Sequence, residues 1–298
     1  MTASTPVDPP LGRHARGIML ATVGVLIFTP DALAFRVIAA DSWTILLWRS
    51  LMTGVTLLVA YSCICERKQF WRDLSLDRRG WMSVAGLAMA EIGFVTAVLN
   101  APTADALVVL ASVPVWAALI AIVLFRERQP LYTLIAIAVS MIGVGITVNG
   151  TSATSGLYGP AMALMGAIGW ALHLNFLRQS PSSSPYVVVA FASLGSAIVA
   201  IAVSPPAAME WRSWGLLVLL GIVVHPLSFL LIAKASKLIA SAEVSLISLL
   251  ETLLGPFWVW LALGEEPSHN TLFGGTIVLV TLLVHSIVAL RMDRKSPA

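Results

Sequence analysis

Charge is scarce in this sequence. Asp, Glu, Lys and Arg make up 11% of its 298 residues, where ordinary soluble domains carry about a quarter. Apolar side chains make up 58%, and the mean hydropathy is +0.90. So little polar surface excludes a water-soluble globule and points to lipid as the solvent. The net charge is only +3, and its carriers cluster between apolar runs, which excludes a nucleic-acid partner. Cysteine is nearly absent. Cys63 and Cys65 form a C-x-C pair with no His or further Cys nearby, so reduced thiols are expected rather than a metal site. No cofactor is expected either. There is no G-x-x-x-x-G-K-[ST], which argues against direct ATP drive, and no H-E-x-x-H. No Ser-His or paired-Asp constellation stands out, so an intramembrane enzyme is not expected. Residues 1–16 hold three Pro and two Arg but no apolar core, so no cleavable signal peptide is expected.

Long apolar runs are what the chain has in abundance. A span needs about 20 apolar residues, and ten such runs are expected: 17–38, 43–63, 80–99, 104–125, 131–149, 156–177, 187–203, 214–233, 242–263 and 271–290. Turn residues separate them at Asn100-Ala101-Pro102, Asn149-Gly150, Ser180-Pro181 and Pro205-Pro206. Short connections predict helical hairpins. Fifteen of the 18 Lys and Arg fall on the side of the N-terminus, and only Arg36 and Arg212 on the other. That bias predicts that both termini are cytoplasmic, and the expected location is the cell's inner membrane.

The chain also repeats itself. Shifted by 138 positions, TADALVVL (103–110) lies over SAEVSLIS (241–248). Asp105 then meets Glu243, Glu127 meets Glu265, and Thr133-Leu134 meets Thr271-Leu272. At a slightly larger shift, Ala21 and Gly24 meet Ala163 and Gly166. Each half holds five spans, an odd number, so the halves face opposite ways. Such inverted repeats place a substrate site near the midplane, between the halves. The expected organisation is a tail at 1–16, a first repeat at 17–150, a second at 151–290 and a tail at 291–298.

Several stretches carry a family pattern. Span 2 reads SWTILLWRSL with Arg49, and span 4 reads PVWAALIAIVLFRE with Pro114 and Glu127. Span 9 reads LETLLGPFWVWLALGEE with Glu251 and Glu265, followed by Gly274-Gly275. Over about residues 17–290 the chain resembles the EamA-like branch of the drug/metabolite transporter superfamily. Relatives in that branch include bacterial amino-acid exporters, aromatic ones among them. The resemblance implies a central cavity lined by spans 1, 3, 4, 6, 8 and 9, with spans 5 and 10 peripheral. In one respect the chain departs: span 7, the counterpart of span 2, reads VVVAFASLG and has no Arg.

Ionisable groups at membrane depth are costly, about 2.5–3.5 kcal/mol each on insertion scales. Asp31 and Arg49 lie at equal depth on adjacent helices, which predicts a structural ion pair; a gating or substrate role is the alternative. Glu91 has only Leu87, Ala88, Phe94 and Val95 at helical spacing. Such a carboxyl is expected to be neutral, either donating to a facing carbonyl or relaying protons at a cavity. His225 and Glu251 are level with each other, beside Pro226 and Pro256. Each proline frees the carbonyl four residues back, here Ile222 and Thr252. Exposed backbone at that depth is tolerated where it faces protein or a wet cavity. His225 and Glu251 are therefore expected at a cavity, sharing a hydrogen bond or proton. Ser248, Glu251, Gly255 and Trp258 form one helical stripe of span 9. Proton-coupling candidates are Glu91, His225 and Glu251. His285 is expected to be a packing residue. Asp105 and Glu243 suit helix starts, and Glu127, Glu265 and Glu266 suit loops.

Further candidates for the cavity are Phe28, Phe94, Trp170, His173 and Asn175 on implied cavity helices, and Pro114 in span 4. Space filling is the commoner role of such aromatics. The function expected is a secondary or facilitative transporter of small organic metabolites. Export of amino acids, with aromatic ones included, by alternating access is favoured. Two alternatives stand: a multidrug, cationic or nucleobase exporter of the same fold, and a channel-like or structural membrane protein. Partners are the lipid bilayer, a small-molecule substrate and protons, with the chain a monomer or weak oligomer.

Overall fold

The computed structural model describes residues 10–38, 40–127, 130–150, 157–264, 266 and 268–293. Arg128, Glu265, Pro267 and the ends of both tails lie outside the described residues. Every regular element described is helical. The order is α1 (Pro10–Phe28), α2 (Asp31–Val37), α3 (Ser42–Ile64), α4 (Arg67–Asp73), α5 (Arg78–Asn100), α6 (Thr103–Leu110), α7 (Val113–Phe125) and α8 (Leu131–Gly150). The second half continues with α9 (Tyr158–Arg178), α10 (Pro185–Val203), α11 (Trp211–Leu219), a π-helical turn (Leu220–Val224), α12 (His225–Ala235), α13 (Ser241–Ser248), α14 (Leu250–Leu263) and α15 (His269–Asp293). Among the described residues, eight segments are long and apolar enough to cross a membrane. At the fifth and tenth places the apolar stretches are shorter, Leu131–Gly143 and Leu272–His285. Outward faces carry exposed Leu119, Val123, Leu124, Ile198 and Leu283, as a lipid-facing surface requires.

Several of the ten expected runs are not single helices. The first breaks at Thr29-Pro30, between α1 and α2. The fourth breaks at Ala111-Ser112, where Pro114 sits in the first turn of α7 and its missing N–H costs nothing. In the ninth the break comes at Leu249, ahead of Glu251, while Pro256 lies inside α14. The eighth widens into the π-turn just before His225-Pro226. A further short helix, α4, occupies the basic connection that the apolar pattern leaves open.

The two halves share these irregularities. Ala111 and Leu249, which end α6 and α13, are 138 positions apart. So are Arg126 and Gly264, which end α7 and α14 in left-handed conformations, φ 54° and 68°. Asp105 and Glu243 lie in the first turns of α6 and α13. There the Ala240 N–H donates to Glu243 Oε2 at 3.1 Å.

Packing between the halves follows the same symmetry. α5 runs along α9, and its counterpart in the other half, α12, runs along α1. In a bilayer there is no hydrophobic drive between helices, so close approach of small residues carries the association. A Cβ on Gly93 would lie 2.5 Å from Gly166 N, and one on Gly169 would lie 2.6 Å from Ala90 N. Gly24 meets Ser228 O and Ile232 in the α1–α12 contact. The repeat offset that relates Gly24 to Gly166 thus relates two close helix contacts. α3 lies against α10, and α8 against α15.

At the end of the bundle rich in Lys and Arg, polar side chains join the halves. Asp77 caps α5 through the Gly80 N–H at 3.1 Å and accepts from Ser183 Oγ at 2.8 Å and from Ser180 Oγ. Arg79 donates to Gln179 O at 3.0 Å, and Arg178 lies 3.3 Å from Glu127. Partial burial pushes the Asp77 carboxyl up, but the bonds from Ser180, Ser183 and the backbone outweigh it and hold it below its ordinary value of 3.8. The sign follows: a group whose folded pKa is depressed stabilises above its unfolded value, and that contribution fades as pH falls through the folded one. Asp77→Asn is therefore expected to lower the melting temperature at pH 7 by a few degrees at most, because the carboxyl is exposed. Melting curves of the two proteins should converge as the pH falls below the ordinary carboxylate range. A constant difference across that range would rule out the carboxylate as the cause.

Candidate functional site

A cavity lies between the halves. Its lining comes from α1, α3, α5, α6, α7, α9, α12, α13 and α14. One wall is aromatic and apolar. Phe28 meets Phe94 at 5.2 Å, and Trp170 meets Phe229 at 5.1 Å. Phe28 and Trp170 are separated by 142 positions, the offset between Gly24 and Gly166, so the first contact mirrors the second. Phe28 also meets Phe229 at 5.2 Å, closing a ladder across the two halves.

Polar groups break that symmetry. Arg49 is fully buried in the cavity wall. Its Nη1 donates to Asp31 Oδ2 at 3.0 Å, and its guanidinium lies 5.1 Å from the Phe35 ring centre. Arg49 Nε and Nη2 and Asp31 Oδ1 are buried without a hydrogen-bond partner. Glu91 accepts from Ser50 Oγ at 3.1 Å and from Ser193 Oγ at 2.7 Å. This corrects the expectation that it donates to a carbonyl. The serines come from α3 and α10, so Glu91 ties α5 to both, and Ser193 belongs to the very segment that lacks an Arg. Glu251 is half-buried in the lining, and its Oε1 is buried with no partner.

His225 and Glu251 do not share a bond. His225 Nδ1 is 3.2 Å from Thr53 Oγ1, which in turn donates to Gly221 O at 3.0 Å. With the Thr53 proton used there, Nδ1 carries the imidazole hydrogen and Nε2 is left as an acceptor without a partner. The carbonyl served by the side chain is Gly221, one residue before the expected Ile222. The π-turn ahead of Pro226 shifts the ladder.

Of the residues expected at the cavity, Phe28, Glu91, Phe94, Trp170, Ser248 and Glu251 line it. The others sit elsewhere. His173 Nδ1 is 2.9 Å from Ser83 Oγ, and Asn175 Nδ2 donates to Ala117 O at 3.1 Å and to Ala171 O at 2.9 Å. Both fasten α9 to neighbouring helices. His225 packs its ring on Phe229 at 3.9 Å, outside the lining. Gly255 faces Leu107, whose Cδ1 lies 2.5 Å from where a Cβ would be. Trp258 Nε1 donates to Thr29 Oγ1 at 3.3 Å. The span 9 stripe divides within α14: Ser248 and Glu251, on either side of the break at Leu249, reach the cavity, while Gly255 turns to α6 and Trp258 to Thr29. Pro114 lines a smaller pocket with Thr133, Ser140 and His285, away from the centre. Arg49, Phe229 and Thr252 line the cavity without having been expected there. Phe229 follows His225 by one helical turn, yet of the two only Phe229 lines the cavity.

Two segments, residues 15–149 and 157–287, match the model of the EamA-like transporter family. A solved structure titled "Crystal structure of protein" has the same fold, with a TM-score of 0.71 and 18% identity over 92% of this chain and 98% of that one. No curated protein matches the chain. Two repeats of one family model cover nearly all of the bundle, so the chain belongs to the EamA-like transporter family of the drug/metabolite transporter superfamily, and is a multi-pass membrane transporter of small molecules rather than an enzyme.

Proposed function

We propose that the chain is a secondary transporter that exports amino acids, those with apolar or aromatic side chains in particular, across the inner membrane. The observation that carries this reading is the make-up of the cavity. An aromatic ladder from both halves faces a few charged groups, and Glu251 offers a buried oxygen with no partner. A carboxyl at membrane depth needs a proton or a cation beside it. A substrate ammonium can fill that place and displace the proton. The substrate would then leave while a proton enters, and two helix groups would rock around the site between the repeats. The bias of Lys and Arg supports ten spans with both termini cytoplasmic, α8 and α15 supplying the fifth and tenth. In this scheme Glu91 and His225 are further proton candidates. Glu91 is held by two serines and His225 has a free Nε2.

Proteoliposomes test the reading. Uptake of labelled L-phenylalanine should respond to an imposed pH gradient, and Glu251→Gln should abolish most of that response and weaken binding of the substrate. An unchanged pH response in the variant removes Glu251 from the proton role. Uptake of quaternary ammonium compounds or nucleobases, with no uptake of any amino acid, replaces the amino-acid reading by another substrate class.

A further inference from the structure

Arg49 is only half used. Asp31 takes one hydrogen bond, through Nη1. The two nitrogens left over, Nε and Nη2, are the pair whose N–H bonds lie parallel on one edge of the guanidinium. That edge matches the two oxygens of a carboxylate. Both are buried and have no partner, although a buried donor without an acceptor is costly. Arg49 also forms part of the cavity wall. An ion pair whose sole purpose was to fasten α2 to α3 would be expected to use the same edge for Asp31. Instead Asp31 holds the far nitrogen, and the Phe35 ring lies 5.1 Å from the guanidinium. Together they fix the orientation of the free edge.

We infer that the Nε–Nη2 edge of Arg49 binds the carboxylate of the substrate, with Asp31 as its positioning residue. The inference rests on the cavity being the substrate site of an amino-acid carrier, and it assigns the two poles of the zwitterion. The carboxylate goes to Arg49 from the first half, and the ammonium goes to Glu251 from the second. The side chain lies along the ladder of Phe28, Phe94, Phe229 and Trp170. Both Arg49 nitrogens are closed to solvent in this conformation, so the carboxylate reaches them as the cavity opens. A zwitterion joining residues of opposite halves gives substrate binding a means to draw the halves together. Glu91 is not an alternative pole, because both its oxygens already accept from serines.

Three probes differing in one group each test this on the purified full chain: L-phenylalanine, L-phenylalaninamide and 3-phenylpropionate, read by displacement of labelled substrate and by thermal shift. The wild type is expected to bind the amino acid about tenfold or more tighter than the amide. Arg49→Lys, which keeps the charge but loses the fork, should remove that preference. Asp31→Asn with Arg49→Gln removes both charges together, so folding is not loaded with an unpaired ion. It should bind the amide and the amino acid alike. If the wild type binds amide and amino acid equally, the carboxylate site is overturned while the amino-acid reading survives. If 3-phenylpropionate binds through Arg49 but no amino acid does, the carboxylate site stands and the amino-acid reading falls. Binding of none of the three overturns both.

Discussion

Gly93→Leu is expected to remove most of the folded protein, with Gly145→Leu nearly silent. A Cβ at position 93 would lie 2.5 Å from both Gly166 N and Met162 O and 2.6 Å from Gly166 Cα. These are backbone atoms of α9, which cannot swing aside as a flexible side chain does. The helices must separate, and α5 against α9 is one of the extensive contacts through which the first half meets the second. Overpacking in tight cores costs about 1–3 kcal/mol for single added methylenes. A whole Leu against backbone should exceed about 4 kcal/mol, among the larger effects of single substitutions. At Gly145 nothing lies within 4 Å of an added Cβ, so a Leu there points into open space. Fluorescence-detected size exclusion of the two variants in mild detergent makes the comparison. Equal monodisperse peaks for both would mean that the glycine contact does not hold the halves together.

The second large effect concerns Asp31 and Arg49. Both side chains are fully shielded, and their ion pair is 3.0 Å long. Removing one partner of such a pair leaves a bare charge and costs about 3–5 kcal/mol. Asp31→Asn and Arg49→Gln should each destabilise the protein strongly. The double variant should be less damaged than the sum, because no uncompensated ion remains. Melting temperatures of the four proteins in one detergent form the cycle. Additive losses would show that the two side chains act independently despite their contact.

Much of this fold was legible in the sequence, and for physical reasons. Lipid demands long apolar helices, so hydropathy marks where they lie. Inverted symmetry constrains both halves, so Gly24 and Gly166 align and meet their neighbours in matching contacts. The helix break at Leu249 was not legible locally. No Gly or Pro lies within five residues of it on either side, and Pro256, the visible breaker, sits inside α14. The break becomes intelligible through its counterpart at Ala111, where Pro114 starts the next helix. At the position matching Pro114 the second half has Thr252, whose hydroxyl instead donates to Leu107 O at 3.4 Å. The geometry was kept while its local signal was lost.

Polar contacts at depth were less legible, because their partners lie far away in the chain. Glu91 looked isolated on its own helix, yet its serines are 41 and 102 residues distant. His225 and Glu251 share a depth, but depth along two helices does not fix azimuth, and His225 turns to Thr53. Arg49 could be paired with Asp31 by depth alone. That Arg49 also forms part of the cavity wall depends on the packing of several helices together.

We propose that the cavity between the repeats opens alternately to either side of the membrane. Counterflow tests it most directly. Proteoliposomes loaded with unlabelled L-phenylalanine are diluted into labelled L-phenylalanine, and transient accumulation inside is followed. A carrier gives saturable accumulation well above equilibration, lost in a variant such as Phe94→Trp that fills the cavity and retained in Gly145→Leu. Entry that is unaffected by the internal substrate, and equal in the cavity variant, would contradict an alternating carrier and place the chain among channels.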